Sequence, residues 1–381
     1  MIAECLFWSA AALVVYAYAG YPCVLLALSR FRQRAAVKAP IRPRVSFIIA
    51  AHNEEARLPA KIENTLAQEY PAEAFEVIVA SDCSTDRTDT IAESYGSRVR
   101  LVRAPRRQGK EAAQQLAIEA ASGEVLVFSD AATVLASDAV STIVANFADS
   151  GVGCVSSVDR FIDADGRISG EGAYVRYEMW LRTLETRVNS LVGLSGSFFA
   201  ARRDVCRRWA ADRQSDFSTL LNAVDLGFRG VLDPACAGYY TNIADERREF
   251  ERKVRTVVRG LVVLAANRHM LNPFRYGLFA WQLASHKACR WLVPFGMATS
   301  LGAGGALAGE SIFYSWLFVA QCGFYAAAFG GMATGARALK VPAFFVVANA
   351  GVLVAWLRYA RGERMTTWTP SARPQAMLSK G

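Results

Sequence analysis

The chain has 381 residues, of which 53% are hydrophobic, and it carries a formal net charge of +9. This length suits one large domain or two moderate ones, and the apolar content exceeds that of an ordinary soluble domain. A basic chain is a candidate for binding nucleic acid, but here the basic residues cluster beside apolar spans, which disfavours nucleic acid and favours a membrane surface.

The eight cysteines are widely spaced and form no CxxC pair, and there are only three histidines. This pattern excludes a disulfide framework and a zinc site built from cysteine or histidine. We therefore expect free thiols in a reducing compartment.

The first predicted element is an apolar helix near the amino terminus. The segment from Leu6 to Ser29 holds no charged residue. It is long enough to cross a bilayer and too long for the apolar core of a signal peptide. The segment from Arg30 to Arg44 that follows is basic and lacks acidic residues. We expect a retained anchor over residues 1–30, and the positive-inside rule places the next domain in the cytosol.

The middle of the chain alternates strands and helices. Continuous β-prone runs predict four strands, at Val45–Ala51, Phe75–Ala80, Val99–Arg103 and Val125–Ser129. Helices are predicted at Glu54–Glu69 and Gly109–Ala121. This alternation indicates parallel βαβ units, in which ligands bind at the carboxyl ends of the strands. No GxGxxG follows the first strand and no GxxxxGK[ST] occurs, which disfavours dinucleotide oxidoreductases and P-loop ATPases.

The carboxy-terminal part contains three further apolar segments, at Trp291–Ala308, Ser311–Ala336 and Val341–Leu357. Three spans would leave the arginines after Leu357 outside, against the positive-inside rule. Either one of the three segments is re-entrant, or the charge bias is overridden, and both explanations remain open. Residues 271–290 suit either a helix in the membrane interface or an ordinary packed helix.

Six segments of the middle region occur in a particular order: VSFIIAAHNEE (45–55), VIVASDCSTDRT (77–88), RRQGKEAAQQLAIEAASGEVLVFSDAAT (106–133), GLSGSFFAARRD (193–204), SDF (215–217) and RKVR (252–255). In order and spacing they resemble the family 2 glycosyltransferases with a GT-A fold, especially the membrane-bound bacterial enzymes that build polysaccharides. The resemblance covers residues 45 to about 290.

The resemblance implies an α/β, GT-A (Rossmann-like) mixed-sheet domain over residues 45–270 in the cytosol. It would be flanked by the amino-terminal anchor, an interfacial helix (271–290), about three transmembrane helices (291–358) and a polar tail (359–381). The implied reaction moves a hexose or N-acetylhexosamine, with inversion, from a nucleotide sugar to a lipid-linked or polymeric glycan. A UDP-sugar is favoured, the location is a bacterial inner membrane, and other polysaccharide-synthesis proteins are candidate partners.

The resemblance also implies the residues of the site. Nucleotide-sugar binding would involve Ala51, Glu54, Asp82, Lys110, Asp130, Arg252 and Arg255. A carboxylate can accept hydrogen bonds from a base or ribose, and two guanidiniums can clamp a diphosphate. A turn aspartate, a solvated lysine and a solvated basic helix are the structural alternatives, and Asp86 is expected to cap the next helix.

Asp216 is the candidate general base for the acceptor hydroxyl, with a helix N-cap as its alternative role. Asp130 is the candidate ligand of a divalent cation, Mg²⁺ or Mn²⁺, which would neutralise the leaving diphosphate. The second acidic position of the family's DxD is Ala132 here, and Ser81 and Ser215 also replace acids. A non-catalytic nucleotide-sugar-binding subunit and a processive synthase that translocates its polymer are therefore the alternative functions.

Overall fold

The computed structural model describes residues 1–162, 173–241 and 246–365. The chain divides into two compact units. The α/β unit comprises Leu28–Ala244 and Val263–Met270, and the helical unit comprises Met1–Ala27, Asp245–Val262 and Leu271–Arg364. The end of the predicted polar tail, residues 366–381, lies outside the described residues.

The described part of the α/β unit contains one sheet. Its strands are β1 (Val45–Ala51), β2 (Phe75–Ser81), β3 (Arg100–Arg103), β4 (Val125–Asp130), β5 (Val134–Leu135), β6 (Val152–Ile162), β7 (Phe198–Arg202) and β8 (Arg229–Thr241). Across the sheet their order is β3-β2-β1-β4-β7-β6-β8-β5. The first four strands in this order are parallel, whereas β7 runs antiparallel to β4 and β6. The sheet is therefore mixed.

The described α-helices, in chain order, are α1 (Ile2–Val15), α2 (Tyr21–Phe31), α3 (Leu58–Leu66), α4 (Thr88–Ser94), α5 (Lys110–Ala120), α6 (Ala139–Val144), α7 (Ala173–Val188), α8 (Arg203–Cys206), α9 (Ser215–Asp225), α10 (Glu246–Ala266), α11 (Pro273–Tyr276), α12 (Leu278–Leu283), α13 (Arg290–Leu307), α14 (Ile312–Thr334) and α15 (Lys340–Ala360).

The four strands predicted from the sequence are present with ends within one residue. Every residue of β1 is buried, which explains why its sequence is apolar at every position except Ser46 rather than alternating. Phe47, Val79 and Val127 of neighbouring strands lie in one apolar core. The parallel half of the sheet thus agrees with the predicted βαβ units.

The helix predicted at Glu54–Glu69 is shorter, because α3 begins only at Leu58. The backbone amide of Glu54 donates to Thr88 Oγ1 at 2.8 Å, and that of Glu55 donates to Asp86 Oδ2 at 3.1 Å. These bonds hold the first residues in a loop. Pro59 then stands in the first turn of α3, where a missing amide proton leaves no hydrogen bond unmade.

The helical unit contains long apolar helices. Among the described residues, three helical stretches have the length and composition to cross a membrane: Ile2–Phe31, Ile312–Thr334 and Arg337–Ala360, with mean hydropathies of 1.9, 1.4 and 1.9. The first includes a π-helical segment, Tyr16–Gly20, between α1 and α2. The predicted segment Trp291–Ala308 is helical as α13, but it begins at the charged Arg290 and is not among these three candidates.

Inside the helical unit, α13 packs closely against α1. A side chain at Gly296 would lie 3.3 Å from Leu13 Cδ2 and 3.4 Å from the carbonyl oxygen of Ala10, so a small residue suits this position. The stretch predicted as interfacial continues into α13 through a second π-helical segment, Ala284–Cys289. Its membrane position stays a prediction.

Candidate active site

Two loops meet beyond the carboxyl ends of β1 and β2. Asn53 and Cys83 follow these strands, and both have φ near +53°, in the left-handed region. The Oδ1 atom of Asn53 accepts the amide proton of Thr85 at 2.8 Å, which joins the loops. Left-handed residues other than glycine are uncommon and concentrate at functional sites, so this edge is a candidate ligand site.

Asp82 fixes the loop that precedes α5. Its side chain is 1% exposed, and its two carboxylate oxygens accept the amide protons of Gln108 at 2.8 Å and Gly109 at 2.9 Å. Gly109 has φ +103°, a conformation that a side chain would strain. The amide of Asp82 in turn donates to the carbonyl oxygen of Ala51 at 2.9 Å. Asp82 and Ala51 therefore hold the backbone that positions Lys110.

Glu54 and Asp86 lie in the loops that follow β1 and β2. Glu54 is 4% exposed and lies 2.8 Å from Arg57, and burial raises the pKa of its carboxyl although Arg57 opposes the shift. Asp86 stands one residue before Arg87, the N-cap of α4, and accepts the amide proton of Thr88 at 2.9 Å, so it satisfies an amide at the start of the helix without being its N-cap. A role of Glu54 in donor binding stays a prediction.

Lys110 and Asp130 form an ion pair between the start of α5 and the end of β4. The Lys110 ammonium also donates to the carbonyl oxygen of Gly196 at 3.1 Å. The Lys110 side chain is 12% exposed and that of Asp130 is 33% exposed. Burial alone would lower the pKa of Lys110, but the negative charges of Asp130, Glu111 and Asp216 raise it, so Lys110 is a charged lysine. The predicted alternative of a solvated lysine is excluded for this conformation.

Asp216 lies beside the same glycine. A Cβ atom added at Gly196 would lie 3.0 Å from Asp216 Oδ2, so a glycine suits this close approach. Helix α9 begins at Ser215 with Gln214 as its N-cap, so Asp216 stands in the first turn and is not the cap. Its Oδ1 accepts the amide proton of Phe217 at 2.8 Å, and its Oδ2 accepts Gln214 Nε2 at 3.2 Å. The structure thus brings together Lys110, Asp130 and Asp216.

Arg252 and Arg255 lie on α10, in the part that belongs to the helical unit. Arg252 makes two hydrogen bonds of 2.7 Å to the carboxylate of Glu249, one turn earlier. A bidentate pair of this kind fixes the guanidinium and neutralises part of its charge. The role of both arginines toward a diphosphate stays a prediction.

The residues at Asp130 fit a divalent cation only in part. In the described residues there is no group of three or more His, Cys, Asp or Glu side chains that could hold a metal ion. Asp130 is followed by Ala131 and Ala132, so this turn supplies one carboxylate, and that carboxylate accepts the Lys110 ammonium. Mg²⁺ usually keeps several waters and takes phosphate oxygens as ligands. One carboxylate therefore fits an ion whose remaining ligands come from a bound diphosphate and water.

Two polar groups at this edge were missed by the sequence reasoning. Lys61 of α3 is 3% exposed and lies under the turn that follows β4. Asp159 of β6 accepts the hydroxyl protons of Ser195 and Ser197, both at 2.5 Å. Lys61 shares the buried face of α3 with Leu58, Ile62 and Thr65, and a lysine at an apolar helix position was the available signal.

Comparison with known proteins connects this geometry to a family. Residues 46–209 match the family model described as glycosyl transferase family 2. The chain carries a family 2 glycosyltransferase domain. The match contains β1, β2, β4 and β7, and therefore Asp82, Lys110 and Asp130. The family predicted from the sequence motifs is confirmed.

A solved structure supports the GT-A fold of this glycosyltransferase domain. The mannosyltransferase PcManGT from Pyrobaculum calidifontis, solved with GDP-Man and Mn²⁺, aligns with a TM-score of 0.75 over 95% of this chain and 99% of its own chain. The sequence identity is 21%, so the likeness concerns the fold alone. The predicted fold class is confirmed.

Curated relatives of the domain include two bacterial proteins. The β-monoglucosyldiacylglycerol synthase of Nostoc sp. is 28% identical over 201 residues, which are 50% of this chain and 42% of the relative. The succinoglycan biosynthesis protein ExoO of Rhizobium meliloti is 27% identical over 219 residues, which are 53% of this chain and 62% of the relative. The chain thus spans less than two thirds of the length of either relative.

Proposed function

We propose that the chain is an inverting glycosyltransferase that moves a hexose or N-acetylhexosamine from a nucleotide sugar to a lipid-linked or polymeric glycan. The observation that carries the proposal is the meeting of Lys110, Asp130 and Asp216 at Gly196, inside or directly after the family 2 match. These groups supply the charges that the transfer of a sugar from a diphosphate requires, namely a cation, an acidic site for a second cation and a base.

In this proposal the acceptor hydroxyl attacks the anomeric carbon of the donor sugar while Asp216 takes its proton. The bond from the anomeric carbon to the diphosphate oxygen breaks, and the nucleoside diphosphate leaves. The Lys110 ammonium, tied to Asp130 and to the carbonyl of Gly196, faces the developing negative charge. One displacement inverts the anomeric configuration and needs no nucleophile from the enzyme.

Asp130 would hold the divalent cation, Mg²⁺ or Mn²⁺, of this proposal. When bound, the cation would neutralise charge on the leaving diphosphate. The neighbouring PcManGT structure contains Mn²⁺ together with GDP-Man, which supports the use of a divalent cation. A UDP-sugar remains our favoured donor, and the Mn²⁺–GDP-Man structure makes GDP-sugars the comparison that the donor test must include.

The proposal also covers the glycan acceptor and the location of the protein in the cell. The two relatives are named for a glycolipid synthase and for succinoglycan biosynthesis, which supports a lipid-linked or polymeric glycan in cell-surface polysaccharide synthesis. The apolar helices support a place in the bacterial inner membrane. The basic run between Arg30 and Arg44 favours a cytosolic site.

A donor screen tests the proposal. Purified chain in detergent is supplied with a panel of UDP- and GDP-sugars and a lipid-linked acceptor, and released nucleotide is measured with and without EDTA. We expect release from one donor class only, dependent on acceptor and reduced by EDTA. Protein that shows a cooperative melting transition yet releases nucleotide from no donor would contradict the proposal.

A non-catalytic nucleotide-sugar-binding subunit is the second candidate, because the turn after β4 has one carboxylate where the family has two. Such a subunit would bind UDP or GDP in a calorimeter but release nucleotide from no donor. The two measurements on one preparation separate the candidates.

A further inference from the structure

Lys61 is a buried cation directly beneath the turn that carries Asp130. Its Nζ donates to Ser129 Oγ at 2.8 Å and to the carbonyl oxygen of Thr133 at 2.7 Å. It also lies 5.3 Å from the centre of the Phe47 ring, within the range of a cation–π contact. The side chain is thus held by the strand before the turn, by the end of the turn and by the core.

These two hydrogen bonds connect Lys61, in the core, to both ends of the turn from Asp130 to Thr133. Ser129 is the residue before Asp130, and Thr133 ends the turn, with its amide donating to the carbonyl oxygen of Asp130 at 3.1 Å. Both residues are buried, at 1% and 2% exposure. Lys61 is therefore bonded to the turn on both sides of Asp130, whose carboxylate meets Lys110.

Packing alone does not account for a lysine at this position. Burying an ammonium costs several kcal/mol, whereas a methionine of similar length would fill the same space among Leu58, Ile62 and Phe47 without that penalty. Burial lowers the pKa of Lys61 to about 7, and the negative charge of Asp130 opposes the shift. A methionine would lose the electrostatic coupling to Asp130 and the two hydrogen bonds to Ser129 and Thr133.

The charges around the turn are mixed. Asp130, Glu111 and Asp216 place negative charge near Lys110, and Lys110 and Lys61 contribute one positive charge each when protonated. Carboxylates repel an anion that enters the site, so each lysine charge favours the binding of an anion there. The anion that the proposed function brings to this edge is the diphosphate of a nucleotide sugar.

We propose that Lys61 is a positioning residue for donor binding, which fixes the Asp130 turn from the core side and supplies positive charge toward the diphosphate of the donor. This inference rests on the proposed function, because it takes the ligand to be a nucleotide sugar. Lys61 acts through the turn and through its field, and it does not touch the reacting atoms.

The test separates charge, hydrogen bonding and folding. Lys61→Met removes the charge and both bonds, and Lys61→Gln removes the charge but keeps amide protons that can donate to Ser129 and Thr133. Arg98→Met is the matched control, because it removes one charge from an exposed residue. Arg98 precedes β3, and therefore lies at the end of the sheet opposite the carboxyl ends of the parallel strands, where the candidate site is. Melting temperatures in detergent and calorimetric affinities for UDP, GDP, uridine and guanosine are measured for each variant.

For both Lys61 variants we expect the affinity for the bound nucleoside diphosphate to fall about tenfold, the order expected for one unit charge near a partly buried site. The affinity for the matching nucleoside should stay the same, since the nucleoside lacks the diphosphate. The melting temperature of Lys61→Met should change little, since the removal of a buried charge is offset by the loss of the donor to Ser129 Oγ and to the carbonyl oxygen of Thr133. Arg98→Met should bind like the wild type.

Diphosphate affinities that stay at the wild-type value in folded Lys61→Gln would overturn the inference. A loss of nucleoside and diphosphate affinity in equal proportion, together with a lower melting temperature, would also overturn it, because that outcome indicates a structural role. If Lys61→Met does not fold, the affinities of Lys61→Gln for the nucleoside diphosphate and the nucleoside decide the test alone. Wild-type protein that binds neither UDP nor GDP would contradict the proposed function itself, an outcome distinct from an effect confined to the Lys61 variants.

Discussion

Lys110 and Asp130 are joined by an ion pair in the conformation described, so the lysine occupies one side of the carboxylate predicted to hold a metal ion. A divalent cation and an ammonium repel each other, and both are attracted to Asp130. The two positive groups can share the carboxylate, which has two oxygens, or bind it in turn. In either case Lys110 belongs to the donor site and its charge affects the affinity for metal.

Lys110→Ala should lower kcat/KM for the nucleotide sugar about thirtyfold. Truncating one partner of a hydrogen-bonded charge pair costs about 2 kcal/mol or more, and we take the lower value because Asp130 is 33% exposed. Initial rates of nucleotide release measure the effect. Lys110→Arg keeps the charge, so its kcat/KM should fall less than that of Lys110→Ala. An equal fall in kcat/KM for the two variants would argue against a role for the charge.

Ala132→Asp should lower the Mn²⁺ concentration that gives half-maximal activity, by roughly tenfold. The substitution adds a carboxylate two residues after Asp130, where the family commonly has its second acid. Ala132→Asn is the matched control, since it has the same size without the charge. Superimposable Mn²⁺ activation curves for the Asp and Asn variants would show that position 132 does not face the metal.

The sequence predicted the parallel half of the sheet because β1, β2 and β4 each contain a continuous, buried apolar run, at 47–51, 77–80 and 125–128. It also placed Asp82 and Asp130 at the strand ends. The antiparallel strand β7 was not predicted, since its pairing with β4 joins residues about 70 positions apart.

Side-chain partners could not be predicted in the same way. The bonds from Gln108 and Gly109 to Asp82 depend on a loop whose path is set by tertiary contacts. The meeting of Gly196 with Lys110 and Asp216 joins three distant segments. Lys61 lies inside the helix predicted at Glu54–Glu69 and was not singled out there, and the fold shows that it is buried.

Asp82→Asn should destabilise the loop before α5. The new amide group places a donor against one of the two backbone amides that the carboxylate now accepts, and a buried unmatched donor costs about 1–3 kcal/mol. Faster hydrogen exchange at Gln108 and Gly109 and a weaker affinity for the nucleotide are expected. Asp138→Asn, at an exposed residue, is the control and should leave both unchanged. Unaltered hydrogen exchange at Gln108 and Gly109 in Asp82→Asn would refute the role of Asp82 in holding this loop.

The stability of the α/β unit should depend on pH through Lys61. Its pKa is lowered from the ordinary 10.5 to about 7 by burial, although Asp130 opposes the shift. Between these values the unfolded chain binds more protons than the folded chain, so stability rises with pH from about 7 toward 10.5. The melting temperature of the wild type should therefore increase between pH 7 and pH 9 relative to that of Lys61→Met. Parallel changes in the two proteins would contradict this assignment.

Asp216→Asn should lower kcat by a factor of about 10² to 10⁴, the usual contribution of a general base, with little change in nucleotide affinity. The amide has the shape of the carboxylate but cannot take the proton of the acceptor hydroxyl. Asp225→Asn is the matched control at the other end of α9, where the aspartate pairs with Arg208 at 2.7 Å. A kcat for Asp216→Asn within a factor of about three of the wild type would exclude Asp216 as the base. Asp159, held by Ser195 and Ser197 on either side of Gly196, would then be the carboxylate to substitute next.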